Sequence, residues 1–219
     1  MFESKYSKVL TVLLIIVIVG ILGLLGYLAY EYYQNYVIST DANQFVDDFQ
    51  GEISDGEEDK NTVDTSDENP FDQIETTNTV GGISKTYKGF GVLGTIEIPS
   101  ISLKYPVLDK VTPKSIETAV AFLYGTGLNK PGNSVIIGHN YRNGLFFSNL
   151  KKVNIGEKIY ITDLEGNRQE YNIYNKFEAA ENDTSFYQRD TGGKPEITLS
   201  TCTDDSSARI IIFGRIEGE

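Results

Sequence analysis

Hydrophobic and polar positions change their pattern twice along the chain. Residues 9–30 are almost wholly apolar, V-L-T-V-L-L-I-I-V-I-V-G-I-L-G-L-L-G-Y-L-A-Y. About twenty such residues in succession are enough for a helix to cross a bilayer. Residues 31–81 start with a few further helical turns and then become polar and acidic, and after them short apolar runs alternate with turn residues. The pattern predicts a transmembrane helix, an extracellular linker and a folded domain at 82–219.

The charges beside the apolar stretch predict its orientation. Lys5 and Lys8 precede it, whereas Glu31 and further acidic residues follow it. Because cytoplasmic flanks are enriched in lysine and arginine, residues 1–8 are expected in the cytoplasm and the folded domain outside. A cleaved signal peptide is the alternative, but its apolar region is shorter, about 7–15 residues, and ends in a small-x-small site. Neither feature occurs, so we expect a single-pass protein of the cell membrane.

The acidity of the chain belongs to the linker. Residues 41–79 contain thirteen acidic residues and one base, Lys60, a balance of −12 that equals the net charge of the whole chain. Such a segment cannot bury enough apolar surface to offset the entropy of ordering it. We therefore predict a solvated, extended stalk at 50–79. Since the remainder is neutral, no basic surface indicates a nucleic-acid partner.

Short apolar runs bounded by turn residues predict the strands of the folded domain. The runs are residues 91–99, 101–107, 134–139, 158–163, 169–177, 197–202 and 209–216. Residues 112–123 favour a short helix or a turn, and residues 143–153 favour a short helix. E-G-N at 165–167 favours a hairpin turn, and 178–194 is irregular. About eight short strands with one or two helices predict a mainly β fold, a closed or nearly closed barrel.

Cys202 is the only cysteine of the chain. It lies where strand alternation stops, directly before the polar turn T-D-D-S-S. A lone cysteine is commonly a small buried hydrophobe. Outside the cell, however, a free thiol is readily oxidised, which disfavours a cysteine with a purely structural role at this position. From its position alone, Cys202 can be interpreted either as an inert core residue or as a nucleophile.

His139 is the only histidine and closes the apolar run V-I-I-G-H. A lone histidine is commonly a structural residue. If the strands that contain Val135 and Ile197 run parallel, their ends meet at one edge of the sheet. That arrangement brings the imidazole within reach of the Cys202 thiol.

Arg209 opens the last apolar run. If residues 203–207 connect an antiparallel pair of strands, Arg209 falls nearly opposite Cys202. Arg215 is six residues further along, about 20 Å in a strand, so Arg209 is the better candidate for a charge near the sulfur.

The three residue types suit nucleophilic catalysis. A thiolate attacks a carbonyl, an imidazole transfers protons, and a guanidinium binds a carbonyl or a developing oxyanion. One cysteine excludes a disulfide within the chain, and one cysteine with one histidine supplies too few ligands for a zinc site. We expect no metal and no cofactor.

The motif T-L-S-T-C at 198–202, followed by Arg209 and preceded by G-H-N at 138–140, resembles the sortases. The order of anchor, linker, barrel, histidine, cysteine and arginine is also similar, and the resemblance covers about 89–216. It implies an eight-stranded sortase-type β-barrel. It also implies a cysteine transpeptidase that cleaves an L-P-x-T-G-like signal and passes the acyl group to an amine.

The resemblance assigns roles to residues of this chain. Cys202 is expected to be the nucleophile, His139 the general acid and base, and Arg209 the partner of substrate and oxyanion. Ser200 and Thr201 are expected to contact the substrate, and the irregular segment 178–194 to shape specificity.

The expected partners are surface proteins with a C-terminal sorting signal and a cell-wall precursor amine. A pilin lysine is the alternative acceptor. The motif spelling and single N-terminal helix are similar to the anchoring classes, class B among them. A surface thiol hydrolase and a non-catalytic surface binding module remain the other hypotheses.

Overall fold

The computed structural model describes residues 5–55 and 85–217. Its elements are helix α1 (Lys5–Asp55), strands β1 (Thr86–Tyr87), β2 (Phe90–Ile98) and β3 (Leu103–Leu108), helix α2 (Pro113–Ile116), and strands β4 (Val120–Tyr124), β5 (Gly132–Ile137), β6 (Lys158–Asp163), β7 (Arg168–Ala180), β8 (Pro195–Cys202) and β9 (Ala208–Arg215). The chain divides into two units, Met1–Thr40 and Asp41–Glu219. Most of the predicted stalk lies outside the described residues.

The first unit contains the apolar part of α1. Its large apolar side chains are exposed all around the helix, for example Leu10 at 69% and Leu22 at 63%. Within the described part of the chain, α1 is the one helix long and apolar enough to cross a membrane, with a mean hydropathy of 3.1 over its most apolar window. A helix that is apolar on all sides suits a lipid environment. The predicted N-terminal membrane anchor fits this helix.

The second unit begins inside the range predicted as linker. Residues 31–55 are helical, and the last turns of α1 bury Ala42, Val46 and Phe49. Their spacing of four and three residues places them on one face of the helix. The acidic composition of 41–55 conceals this apolar stripe, because the acidic side chains occupy the other positions of the same turns. The unit that contains the barrel therefore starts at Asp41.

These last turns of α1 pack against the first strands. Phe45 lies edge-on to Tyr87 with ring centroids 5.0 Å apart. Asp41 accepts a hydrogen bond of 3.0 Å from the Tyr87 hydroxyl and pairs with Lys88 at 2.6 Å. Gln50 donates a bond of 2.6 Å to Glu97 on β2. Apolar burial and polar contacts together make this end of α1 part of the folded domain.

Eight strands form a closed barrel. Their order is β2-β3-β4-β5-β8-β9-β7-β6, and β6 pairs again with β2 to close the ring. The short strand β1 adds to the outside of β2. Strands β3 with β4 and β5 with β8 are parallel, whereas the other neighbours are antiparallel. The predicted eight-stranded β-barrel is confirmed.

The range 112–123, predicted as a short helix or turn, is mostly not helical. Thr112 caps α2 by accepting a hydrogen bond of 3.0 Å from the Ser115 amide, as its position before Pro113 predicts. The helix ends at Ile116, and the sequence V-A-F-L-Y then forms β4. β4 lies between β3 and β5, where ladder bonds and burial outweigh local helical propensity.

The predicted helix at 143–153 is replaced by turns and a 3-10 turn at Leu150–Lys152. Gly144 and Phe146 both have positive φ angles, +91° and +49°, which a continuous α-helix does not allow. Three apolar side chains of this segment still face inward, because Leu145, Phe146 and Leu150 are all at most 5% exposed.

Candidate active site

Strands β5 and β8 place His139 and Cys202 at one edge of the barrel. The two strands are parallel, and their last paired residues are Ile137 and Ser200. The Gly138 amide donates one further hydrogen bond to the Ser200 carbonyl, at 3.3 Å. Continuing this register by two residues places His139 beside Cys202, the last residue of β8. The parallel pairing on which this prediction depends is therefore present.

Strand β9 adds Arg209 to the same edge. β8 and β9 are antiparallel, and Cys202 pairs directly with Arg209. Directly opposed residues of neighbouring strands direct their side chains to the same face of a sheet. His139, Cys202 and Arg209 thus form a line across three adjacent strands, which we call the rim row. All three are partly buried.

The two residues before the cysteine are buried. Ser200 is 5% exposed and Thr201 is 3% exposed. The Thr201 hydroxyl donates a hydrogen bond of 2.8 Å to the Gly138 carbonyl, directly before His139. Thr201 therefore ties the end of β5 to the end of β8. Ser200 lies two residues before Cys202 and so shares its face of the sheet.

The imidazole of His139 packs against an aromatic side chain. Its ring stacks on Tyr141, with centroids 4.8 Å apart and planes 29° apart, and Tyr141 in turn meets the edge of Phe146. Burial lowers the pKa of His139 below its usual 6.5, and the negative charge of Glu117 opposes that shift. This shift favours the neutral imidazole, the form that accepts a proton.

Asn140 connects the histidine loop to the cysteine loop. Its side-chain nitrogen donates to the Cys202 carbonyl at 3.0 Å and to Asp204 Oδ1 at 3.0 Å. The other carboxylate oxygen of Asp204 pairs with Lys151 at 2.5 Å, and these two contacts lower the pKa of Asp204. The sequence places Asn140 in the G-H-N motif but does not indicate this contact.

Arg209 has an ionic partner that sequence patterns do not indicate. Its Nη2 donates to Glu181 Oε1 at 3.0 Å, and Nη1 donates to the Ala208 carbonyl at 3.4 Å. Glu181 belongs to the irregular segment after β7 and is 68% exposed at its side chain. A solvent-exposed carboxylate therefore occupies one nitrogen of the Arg209 guanidinium.

The turn between β8 and β9 is tightly bonded. Asp205 accepts hydrogen bonds from the Thr203 hydroxyl at 2.7 Å and from the Ser207 amide at 3.1 Å. These bonds lower the pKa of Asp205 to about 2. The Thr203 amide also donates to the Ala208 carbonyl at 3.0 Å. The turn that connects Cys202 to Arg209 therefore has a single, well-bonded conformation.

The segment after β7 is anchored to the barrel. The Asn133 side chain donates to the carbonyl oxygens of Phe186 and Tyr187, at 3.2 and 3.0 Å. Arg189 donates to Asn133 at 2.9 Å and lies over the Phe213 ring at 4.1 Å. These contacts make the irregular segment 178–194 a fixed part of the surface.

A cleft of about 550 Å³ lies beside this segment, between Tyr124 and Tyr187. Its floor includes Gly132 and Asn133 at the start of β5, so the cleft lies at the far end of that strand from His139. It is therefore separate from the rim row. Among residues 5–55 and 85–217, no three histidine, cysteine or acidic side chains are grouped so as to hold a metal ion.

Comparison with known proteins agrees with this architecture. The Sortase domain family matches residues 96–217, more than half of the chain. Sortase A of Bacillus anthracis is 35% identical over 130 residues, which cover 58% of this chain and 60% of that relative. Sortase A of Listeria monocytogenes is 28% identical over 134 residues, covering 60% and 59%. The chain thus spans about three fifths of the length of these relatives.

Solved structures show the same fold. Sortase A from Corynebacterium diphtheriae has a TM-score of 0.54 and 28% identity, over 59% of this chain and 62% of that one. Sortase A from Listeria monocytogenes has a TM-score of 0.52 and 26% identity, over 58% and 88%. The resemblance to class B stays a prediction, since these relatives are all named sortase A. The matched domain, the closed barrel and the solved structures together show that this chain belongs to the sortase family.

Proposed function

We propose that this chain is a membrane-anchored cysteine transpeptidase that cleaves an L-P-x-T-G-like sorting signal at the cell surface. The rim row of His139, Cys202 and Arg209 is the observation that carries the proposal. It combines a nucleophile, a proton-transfer group and a fixed cation on three neighbouring strands. Membership of the sortase family supports the same reaction.

The first half of the reaction forms a thioester. The Cys202 sulfur attacks the threonine carbonyl carbon of the signal as its thiol proton passes to His139, and the negative charge moves to the carbonyl oxygen. Arg209 donates hydrogen bonds to that oxygen or to a neighbouring substrate carbonyl. When the C–N bond breaks, protonated His139 gives its proton to the leaving amine of glycine.

The second half transfers the acyl group. An amine of a cell-wall precursor attacks the thioester carbon, and His139 accepts the proton that the amine loses. The sulfur leaves and takes that proton from His139, so the thiol and the neutral imidazole of the starting state are restored. The lowered pKa of His139 supports this step, because a neutral imidazole is available to accept the proton near pH 7.

Two neighbours of Cys202 contribute in different ways. Ser200 shares the face of the rim row, which supports the proposed contact between this residue and the substrate. The Thr201 hydroxyl is already bonded to Gly138. A substrate contact of Thr201 would therefore involve its backbone or require that bond to break.

The proposed location is the outer face of the cell membrane. Lys5 and Lys8 precede the apolar part of α1, which supports a cytoplasmic N-terminus and an extracellular barrel. In this orientation the rim row meets surface proteins with C-terminal sorting signals and cell-wall precursor amines. A pilin lysine is the alternative amine that would accept the acyl group in the same reaction.

The test is a cleavage assay of the full chain in detergent. A quenched L-P-x-T-G peptide is incubated with and without a glycine-based amine, and products are identified by mass spectrometry. We expect an amide joined to the added amine, and loss of all turnover in Cys202→Ala. Full activity of Cys202→Ala would end the proposal.

The products of this assay also distinguish the transpeptidase from a thiol hydrolase and from a non-catalytic binding module. Free acid as the sole product, even with excess amine, identifies a thiol hydrolase. Cleavage of no peptide in a library of sorting signals, together with slow alkylation of Cys202 at neutral pH, identifies a binding module.

A further inference from the structure

We propose that Asn140 is a positioning residue that holds His139 at a fixed distance from Cys202. The inference rests on the function proposed above. The Asn140 side-chain nitrogen donates to the Cys202 carbonyl and to Asp204, each at 3.0 Å. Its side-chain oxygen accepts from the Arg142 amide at 3.1 Å. One carboxamide thus shapes its own loop and binds the backbone of the residue that carries the thiol.

The orientation of this carboxamide follows from its neighbours. A backbone carbonyl and a carboxylate are both acceptors, so only the NH₂ group of Asn140 can satisfy them. Asp204 stays ionised because Lys151 and Asn140 lower its pKa. Lys151 lies in the 3-10 turn after the histidine loop. The ion pair therefore keeps the acceptor in place for Asn140.

A second hydrogen bond is donated from the cysteine strand β8 to the backbone beside His139. The Thr201 hydroxyl, from the residue before the cysteine, donates to the Gly138 carbonyl at 2.8 Å. Asn140, from the residue after the histidine, donates to the carbonyl of the cysteine itself. Because His139 lies between Gly138 and Asn140, both of its neighbours are bonded to the end of β8. The backbone of His139 cannot move away from the end of β8 without breaking one of these bonds.

This arrangement predicts an effect on turnover more than on substrate binding. Both polar atoms of the Asn140 side chain are bonded to protein groups. A displacement of about 1 Å in a reacting group can cost a hundredfold in rate. We therefore expect kcat to fall about ten- to a hundredfold when the bond to the Cys202 carbonyl is lost, with KM changed less than about threefold.

The experiment compares three variants of the full chain in detergent. N140D keeps the side-chain shape but replaces the donor with a carboxylate that repels Asp204 and the Cys202 carbonyl. N140D/D204N restores a hydrogen bond between positions 140 and 204, with donor and acceptor exchanged, but not the donor to Cys202. N154A is the matched control, because Asn154 bonds Glu157 and the Lys152 carbonyl within its own turn.

Four quantities are measured for each variant: kcat and KM for the peptide, Tm, and the rate of Cys202 alkylation by iodoacetamide against pH. We expect N140D to lower both kcat and Tm, and N140D/D204N to recover Tm but not kcat. N154A is expected to retain kcat. The alkylation profile of N140D should move towards that of His139→Ala, because a displaced imidazole no longer influences the thiol.

Several outcomes overturn the inference. Full recovery of kcat in N140D/D204N shows that the link between the two loops matters and the bond to Cys202 does not. Unchanged kcat and an unchanged alkylation profile in N140D remove Asn140 from any positioning role. If the wild-type chain cleaves no peptide, the proposed function fails, but the alkylation profiles still decide whether Asn140 places His139 beside the thiol.

Discussion

Cys202 and Arg209 are directly opposed residues of the antiparallel pair β8 and β9, at the end where the two strands connect. Their separation is therefore determined by the ladder of hydrogen bonds and not by a loop. The ladder continues to Glu196 and Arg215 at its other end. Of the two arginines on β9, only Arg209 is placed to act on a group bonded to the sulfur.

Replacing Arg209 with lysine should lower kcat/KM about ten- to a hundredfold. A lysine keeps the charge but cannot reproduce the planar pair of donors that binds a carbonyl oxygen and a second acceptor. Peptide cleavage kinetics of Arg209→Lys measure the effect. Arg215→Lys is the control, because Arg215 lies over the Tyr174 ring at the far end of β9. Equal losses in both variants would contradict a specific role for Arg209.

Replacing Glu181 with glutamine should lower KM for the peptide about two- to threefold and leave kcat unchanged. The Glu181 carboxylate holds Arg209 at 3.0 Å and competes with substrate carbonyls for its donors. The effect is small because a partly exposed ion pair contributes less than about 1 kcal/mol. Glu178→Gln, which changes an exposed acid three residues earlier on β7, serves as the comparison. A higher KM in Glu181→Gln would show that this carboxylate assists binding instead.

The pKa of His139 should lie below 6.5 and rise towards it in Tyr141→Ala. Burial lowers this pKa, and removal of the stacked ring exposes the imidazole to water. Nuclear magnetic resonance measures the value without ambiguity, because the chain has one histidine. Tyr141→Phe keeps the ring and should leave the pKa unchanged. A lower pKa in Tyr141→Ala would contradict the assigned cause.

The same shift has a consequence for stability. In the unfolded chain His139 binds a proton at a higher pH than in the folded chain. The contribution of neutral His139 to stability is therefore complete above about pH 6.5, the usual pKa of histidine, and is lost as the pH falls through the folded pKa. Urea unfolding between pH 7.5 and 5.5 should show this loss, and His139→Gln should reduce it.

Replacing Phe49 with alanine should destabilise the barrel unit by about 3 kcal/mol, the usual cost of removing a buried aromatic side chain. Phe49 is 1% exposed in the last turns of α1. Urea unfolding followed by tyrosine fluorescence suits a chain with fourteen tyrosines and no tryptophan. Asp48→Ala, an exposed position on the same turn, should change stability by less than about 0.5 kcal/mol. Equal midpoints for the two variants would mean that this end of α1 is not part of the cooperative unit.

Much of the fold follows from local patterns. The apolar run at 9–30 indicates a membrane helix by length alone, and period-two alternation between turn residues indicates the strands around Ile161 and Leu199. The position of Cys202 where alternation stops indicates an open strand end. Each of these signals depends on neighbours within a few residues, which a sequence displays directly.

Local patterns are insufficient where burial overrides propensity. V-A-F-L-Y becomes β4 because two neighbouring strands supply its hydrogen bonds. The acidic turns at 41–55 join the barrel unit because three apolar side chains face it and Asp41 bonds Tyr87 and Lys88. In both cases the deciding contacts come from residues distant in the chain.

Residue chemistry and order along the chain are properties of the sequence: one thiol, one imidazole, and an arginine seven residues after the cysteine. Their convergence is a property of tertiary structure. The parallel pairing of β5 with β8 joins residues 63 positions apart, and the bond from Asn140 to Cys202 joins residues 62 positions apart. Pairing between distant strands is selected by the closure of the whole barrel, because each strand satisfies its backbone groups only when both of its neighbours are in place.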